Sequence, residues 1–487
     1  MNRLLDSLRN LLGQAQVLMP ADAADPEFSR YQTDWRGRYK GHALAIVRPG
    51  NAQEVADVVK LCAQHGVSIV PQGGHTGLVG GGVPDASGKQ IVLSLQRLNR
   101  VLSVDAANLS MTVEAGCLLA DVQRAADDAS LLFPLSLASQ GSCTIGGNLA
   151  TNAGGTQVLR YGTARELCLG LQAVTAQGEI WQGLKSLRKD NTGYDLRDLL
   201  IGSEGTLGII TAASLRLYPK PASRLAALLA CDTIEQALAL LALARRTLDA
   251  SLTGFEIMHA YPVSLALQHT PQQARAARHL LSSDADAGIT TQAPTWTVLL
   301  DAASPHPEVA LQDQLAQLLS HALQEALITQ ACVAQSDTQY REMWALRETI
   351  PLAEKAEGQM VKHDIGVPTS CVPAFISQAE KALQEAFPGC RIVCFGHLGD
   401  GNLHYNVQAS TDVSDQAFLA EQEHAVNAVV YDIATALGGT ISAEHGIGQL
   451  KRNELGQRQN AISTAWMRAI KQALDPQGLL NPGRLVP

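Results

Sequence analysis

Between residues 51 and 66 the chain reads NAQEVADVVKLCAQHG, and Val55, Val58, Val59 and Cys62 recur at helical spacing to form one apolar stripe. Asn51 supplies an N-cap with Glu54 three residues on, and Gly66 stops the helix. VSIV follows as a short buried strand, and PQGGHTGLVGGG breaks the pattern as a loop. QIVLSLQRL reads as a strand, LSMTVEAG alternates as a half-buried strand does, and LLADVQRAADDASLLFP is helical. Residues 136–162, SLASQGSCTIGGNLATNAGGTQVLRYG, are dense in glycine and small polar residues, which predicts a long ordered loop. LGLQAVTAQGEIWQ predicts a hairpin turning at Gln177-Gly178, and IGSEGTLGIITAASLRLYPKP is a further glycine-rich segment running into a strand.

After Pro219 and Pro221 the texture changes. Residues 222–390 are rich in Ala, Leu and Gln with helical patterning, and LTGFEIM and TWTVLLD stand out as strands. A domain boundary is therefore expected near 220. The last stretch, AEHGIGQLKRNELG to LLNPGRLVP, returns to glycine- and asparagine-marked loops and is expected to fold back on the first domain. The expected division is an N-terminal helical segment (1–40), a first domain (41–220), a second domain (221–430) and a C-terminal segment (431–487).

Composition narrows the function. At 487 residues the chain exceeds one compact core. A net charge of −9, without a run of Lys and Arg, argues against nucleic-acid binding. The nine cysteines form no C-x-x-C pair and suit reduced thiols. Cys394 lies in an apolar run and reads as a buried strand residue. The N-terminus breaks its apolar face with Asp6, Arg9 and Asn10, so it reads as an amphipathic helix and not a signal peptide. The longest apolar stretch is interrupted by Asp232 and Glu235, so no membrane span is expected. The expectation is a cytoplasmic protein.

Three glycine loops, Gly73–Gly82, Gly141–Gly155 and Gly202–Gly208, carry almost no charge. Glycine lets backbone N–H groups approach an anion closely, so the three together point to a large phosphate-bearing ligand held mainly by backbone. No G-x-G-x-x-G follows a strand, and GVPDASGKQ has one spacer too many for a phosphate loop, with Gln90 where Ser or Thr must stand. The motifs PQGGHTGLVGG, GSCTIGGNLATNAGG and GSEGTLGIIT resemble the FAD-binding half of the vanillyl-alcohol oxidase/p-cresol methylhydroxylase flavoprotein superfamily. That resemblance implies an α+β fold, with a two-subdomain FAD-binding domain, an α+β substrate (cap) domain built on an antiparallel sheet, and a C-terminal segment returning to the FAD domain. The FAD contacts it implies are Gly73, Gly74, Thr76, Gly77, Gly141, Ser142, Gly146, Gly147, Asn148, Thr151, Asn152, Gly154 and Gly155, with Gly205, Gly208 and Ile210 at the adenine end. His75 stands where near relatives usually have Asn, and elsewhere in the superfamily a His in this loop is joined covalently to the flavin.

RIVCFGHLGDGNLHYNV has β-rich arms around Gly399-Asp400-Gly401-Asn402 and predicts a hairpin. In register, His397 and His404 sit on opposing strands with Cβ atoms about 5 Å apart, within reach of one metal ion. Asn406, two residues on, shares the face of His404. GGTISAEHGIGQLKR adds Glu444 beside His445, and two His with one carboxylate suit a divalent metal that keeps an open position. HLGDGNLH and AEHGIG resemble the D-2-hydroxyacid dehydrogenase branch of the superfamily. By that likeness His397, His404 and Glu444 bind the metal, taken as Zn²⁺, His445 is the catalytic base, and Asp400 belongs to the turn. Arg347 in MWALRETIP and Lys362 in VKHDIGVP match the positions that bind substrate carboxylate, with Asn406 beside them. Pro351 stands where hydroxyglutarate-type members tend to have Thr, which leaves D-2-hydroxyglutarate, D-malate and D-lactate open.

The reaction implied is oxidation of a small D-2-hydroxyacid to its 2-oxoacid, with electrons leaving to a quinone or electron-transfer flavoprotein; a homodimer is the default assembly. Alternatives are a flavin subunit of a glycolate-oxidase-like complex, a metal-dependent hydrolase, which leaves the glycine loops unexplained, and a noncatalytic binding module, which gives the His–carboxylate set no role.

Overall fold

The computed structural model describes residues 2–19, 26–276 and 294–487. The remainder of the N-terminal segment and of the helix-rich stretch, residues 20–25 and 277–293, lies outside the described residues. The chain forms two compact units, Met1–Gly155 with Tyr161–Lys220 and Glu444–Pro487, and Thr156–Arg160 with Pro221–Ala443.

Among the described residues the first unit holds two larger sheets and a two-stranded pair, Leu131–Leu132 with Tyr218–Pro219. In one, Ala43–Val47, Gln90–Ser94 and Ile69–Gln72 run parallel, with the two-residue strand Val17–Leu18 antiparallel on the edge. In the other, five antiparallel strands follow the order Val101–Asp105, Ser110–Glu114, Ile209–Arg216, Cys168–Val174, Ile180–Gly183. The helix Ala52–His65 forms as its pattern dictates: Asn51 accepts from Glu54 N, and Gly66 closes it at φ +64°. Its buried face is Val55, Ala56, Val58, Val59 and Cys62. Each fully buried valine there is worth about 1.5–3 kcal/mol of burial. The helix Asn2–Leu12 sends Leu4, Leu5 and Leu8 into the same core, so it is part of this unit and not a separate segment. The hairpin around Gln177-Gly178 pairs Val174 with Ile180, and Gly178 takes φ +71°.

The second unit is one seven-stranded antiparallel sheet in the order Gln330–Val333, Ser223–Cys231, Trp296–Ser304, Leu252–His259, Arg391–His397, Asn402–Gln408, Asp364–Gly366. The central strand Leu252–His259 is buried along nearly its whole length, so its sequence loses the alternation of a one-sided strand. The helix Asp337–Glu357 contributes Met343, Trp344, Leu346, Ile350 and Ala353 to the core. The unit extends to Ala443, beyond the expected limit at 430, because Thr440 and Ser442 still bridge to the strand Asp364–Gly366.

Candidate active site

The predicted hairpin forms with strands Arg391–His397 and Asn402–Gln408, but in a register that corrects one expectation. His397 pairs with Asn402, and His404 with Phe395, so the two histidines are diagonal neighbours on one face and not direct partners. Their ring centroids are still 5.7 Å apart, and they offer ligand nitrogens within 4.8 Å of each other. Asp364, on the next strand, has a carboxylate oxygen within the same distance of a His404 nitrogen, while its Oδ1 accepts from Asn402 Nδ2 at 2.9 Å. Asp400 stays in the turn, where Oδ1 accepts from Asn402 N.

A buried carboxylate that the sequence reading missed organises this face. Glu256 lies directly across from His397 on the neighbouring strand and is 1% exposed. Its Oε1 sits 2.6 Å from His397 Nδ1, and its Oε2 accepts from Arg347 Nε at 2.8 Å. Burial opposes ionisation of Glu256, but its contacts with His397 and Arg347 outweigh it and hold its carboxyl below the ordinary range. The contact at Nδ1 puts Nε2 on the far side of the ring, and a carboxylate in that position behind a His is the arrangement that orients the ring in metal sites. Arg347 is 6% exposed, with its Cζ 4.6 Å from the ring centroid of Phe395. Its Nε is taken, which leaves the two-nitrogen edge for a ligand. The signal was in the sequence: a glutamate in the middle of an apolar strand, GFEIM, is buried only if paired.

A second buried carboxylate repeats the device. Glu354, 1% exposed, accepts from Lys362 Nζ at 2.7 Å and from Asn406 Nδ2 at 2.5 Å. Asn406 also accepts from His363 N at 3.0 Å, so most of its amide is spent inside the protein. Arg347 and Glu354 are seven residues apart on one helix and share a face.

In the first unit a cleft is lined by Gly73, Gly74, His75, Thr76, Gly77, Gly146, Gly147, Asn148, Thr151, Gly205, Gly208 and Ile210. Gly141, Ser142, Asn152, Gly154 and Gly155 stand outside its lining. Asn152 instead accepts from Thr163 Oγ1 and Arg165 N, and Gly155 N donates to Glu444 Oε1 at 2.6 Å. His445 lines the cleft, as do Asp34, Gln72, Thr144, Glu204 and Asn481, which sequence reading did not select. No Lys or Arg is among the described lining residues. Three buried polar atoms of this lining, Asp34 Oδ2, Thr144 Oγ1 and Asn481 Oδ1, have no hydrogen-bond partner among the described residues. Such groups are costly unless a ligand or water satisfies them. They suit a ligand with several hydroxyls and a phosphate group reached by backbone N–H.

The glycines do more than admit an anion. A Cβ on Gly74 would lie 2.1 Å from the Ser142 carbonyl oxygen, so one glycine loop rests on the next. Glu204 accepts from Ile447 N and Gly448 N, both at 2.7 Å, and pins the AEHGIG segment to the cleft. Burial pushes the Glu204 carboxyl up, against the pull of those two N–H groups and Lys451. His75 takes φ +58°, holds Nε2 2.7 Å from the Thr33 carbonyl, and has its imidazole pushed down by burial.

The fold is that of the PCMH-type flavoproteins. Residues 43–183 match the profile described as FAD binding domain, and 220–485 that of FAD linked oxidases, C-terminal domain. The fold is similar to alkyldihydroxyacetonephosphate synthase (TM-score 0.74, 18% identity, 100% of this chain and 86% of that one) and to p-cresol methylhydroxylase (TM-score 0.71, 15% identity, 99% and 96%). In sequence the chain is 38% identical to the D-2-hydroxyglutarate dehydrogenase of Xanthomonas citri pv. viticola, over 97% of this chain and 96% of that protein. It is 34% identical to the mitochondrial D-2-hydroxyglutarate dehydrogenase of Arabidopsis thaliana, over 98% and 80%. The chain belongs to the D-2-hydroxyglutarate dehydrogenase family of FAD-linked oxidases. No described helix is long and apolar enough to cross a membrane.

Proposed function

We propose that the protein oxidises a D-2-hydroxyacid of the 2-hydroxyglutarate, malate or lactate class to the 2-oxoacid, with FAD as acceptor and a divalent metal, Zn²⁺ by its ligand type, as aid. The observation that carries this reading is Glu256: one buried carboxylate holds both the cation suited to a substrate carboxylate and the imidazole suited to a metal. His397 and His404 would hold the metal with Glu444 as third ligand; Glu444 follows Ala443, whose N–H donates to Asp364 O on the sheet bearing the histidines. Bound FAD supplies a two-electron acceptor for the hydride from C2, and the metal a Lewis acid that acidifies the 2-hydroxyl. The protein's own part is placement and proton handling. The free edge of Arg347 grips the C1 carboxylate as a planar fork. His445 takes the hydroxyl proton, a task within reach of neutral imidazole once the alcohol is acidified. A quinone or electron-transfer flavoprotein would reoxidise the flavin, in a cytoplasmic homodimer.

The test is a visible spectrum under nitrogen with D-2-hydroxyglutarate, D-malate and D-lactate added separately, before and after EDTA. Bleaching of the flavin band by one D-acid, lost after EDTA and restored by Zn²⁺, is expected. A flavin that every acid leaves oxidised would overturn the reading.

A further inference from the structure

The face of the second unit's sheet that turns away from His397 and His404 carries a cavity of about 720 Å³, lined by residues of that unit. Strand pairing decides which side chains it receives. Trp296 pairs with His259 and Cys394 with Tyr405, and carrying the register of Leu252–His259 against Arg391–His397 one step further sets His259 beside Cys394. The four make one row across adjacent strands. His259, Cys394 and Tyr405 each lie an odd number of positions from Glu256, His397 and His404 on the same strands, so the row points to the opposite face. The helix Val372–Ala386 lines the cavity with Pro373, Ile376, Ser377 and Glu380, which share one helical face.

The row holds an unmet polar group. Tyr405 is 0% exposed, and its hydroxyl has no hydrogen-bond partner among the described residues. A buried hydroxyl left bare is costly, so its partner is sought in the cavity it lines. The groups around it are neutral. Burial pushes the Cys390 and Cys394 thiols and the Tyr405 phenol up, and the His259 imidazole down. Glu380 adds to the upward push on both thiols and the phenol, and the same negative charge disfavours an anionic ligand. Arg391, the cation nearest the row in sequence, is engaged by Glu357 at 2.8 Å. Trp296 and His259, edge to face at 5.0 Å, offer ring surfaces. An apolar cavity of this size with few polar groups suits a small organic molecule.

We propose that this cavity is a second binding site, taking a neutral, ring-bearing molecule whose hydroxyl or carbonyl oxygen meets the Tyr405 hydroxyl. The site stands on the other face of the sheet from the one proposed for the hydroxyacid and does not depend on that reading. The probes are p-phenylphenol and p-phenylbenzoate, which share two rings and differ in charge, each titrated calorimetrically into the FAD-loaded protein. The phenol is expected to bind one to one, roughly tenfold or more tighter than the benzoate. Tyr405→Phe, which removes only the hydroxyl, is expected to weaken it about fivefold. Ser377→Trp sets a large ring over the cavity from an exposed helix position and is expected to weaken it roughly tenfold or more, with the flavin still bound. Saturating 2-oxoglutarate is expected to leave the affinity for the phenol within about twofold. A wild-type protein that binds no phenol would mean that water alone meets Tyr405, and displacement by 2-oxoglutarate would put the probe in the acid site. Either result overturns the proposal and leaves the oxidation standing, as does binding that neither variant weakens. Should Tyr405→Phe not fold, Ser377→Trp decides the matter alone.

Discussion

The glycine cleft of the first unit and the polar face of the second solve opposite problems. The cleft offers backbone and orphaned neutral or acceptor atoms, with no Lys or Arg among its described lining residues. The sheet face offers Arg347, Lys362, His397 and His404, and sets a buried carboxylate behind three of them. A large cofactor touches many groups, so shape and main-chain N–H suffice and each contact is individually weak. A small acid touches few, so each must be a charge held in one direction. Holding costs less when the restraint is itself a charge, since an uncompensated ion in such a site is expelled or neutralised. In the proposed function the work is therefore spread thinly over loops in one unit and concentrated in a handful of side chains in the other.

That contrast predicts graded losses. The largest belongs to the proton acceptor: His445→Asn is expected to lower the rate of anaerobic flavin reduction by roughly 10²–10⁴ while leaving the flavin bound. A change under threefold would remove His445 from that role and return it to the cleft wall it lines. Next come the loops. Gly74→Ala puts a methyl group 2.1 Å from the Ser142 carbonyl oxygen, and the backbone there cannot swing aside as a flexible side chain could. It is expected to destabilise by about 1–3 kcal/mol and to lower the flavin-to-protein absorbance ratio of the purified protein. Gly77→Ala, in the same loop with nothing within 4 Å of the added carbon, is expected to stay within about 0.5 kcal/mol of wild type. Equal losses from both would mean that the glycines serve the ligand directly and not the packing of loop on loop.

Much of this was legible in order along the chain, and what escaped did so for one reason. The helix Ala52–His65, the hairpin carrying His397 and His404, and the buried Cys394 follow from local periodicity and turn chemistry, which adjacent residues carry. The diagonal offset of the two histidines did not, because Asn402 belongs to the strand and the turn is Leu398–Gly401, a choice of a single residue that shifts every partner. Glu256, Glu354 and Asp364 escaped because their meaning lies in strands and helices far away in sequence: Glu256 bonds His397 across 141 positions. Asn481, whose amide donates to Gly81 O and Glu204 O, is more remote still. A motif search finds residues that touch ligands; the residues that hold those residues are found through the fold.

Glu204 offers the finest test, because it belongs to the glycine cleft yet is built like the carboxylates of the other unit. It is buried, and its two oxygens accept from Ile447 N and Gly448 N. Burial raises its folded-state pKa, so the folded protein holds this proton more tightly than the unfolded chain does. Stability must then fall as pH rises from the unfolded value, about 4.3, through the higher folded one, the reverse of a salt-bridged carboxylate. Glu204→Gln has no such titration, but it turns an amide N–H₂ toward one of the two backbone donors and is expected to cost about 1–3 kcal/mol. The gap in unfolding midpoint between wild type and variant is therefore expected to be widest at acid pH, below the unfolded value, and to narrow as the pH rises. A gap that widens with pH would mean that the two backbone N–H groups and Lys451 outweigh burial, and that Glu204 is ionised in the folded protein at lower pH than in the unfolded chain.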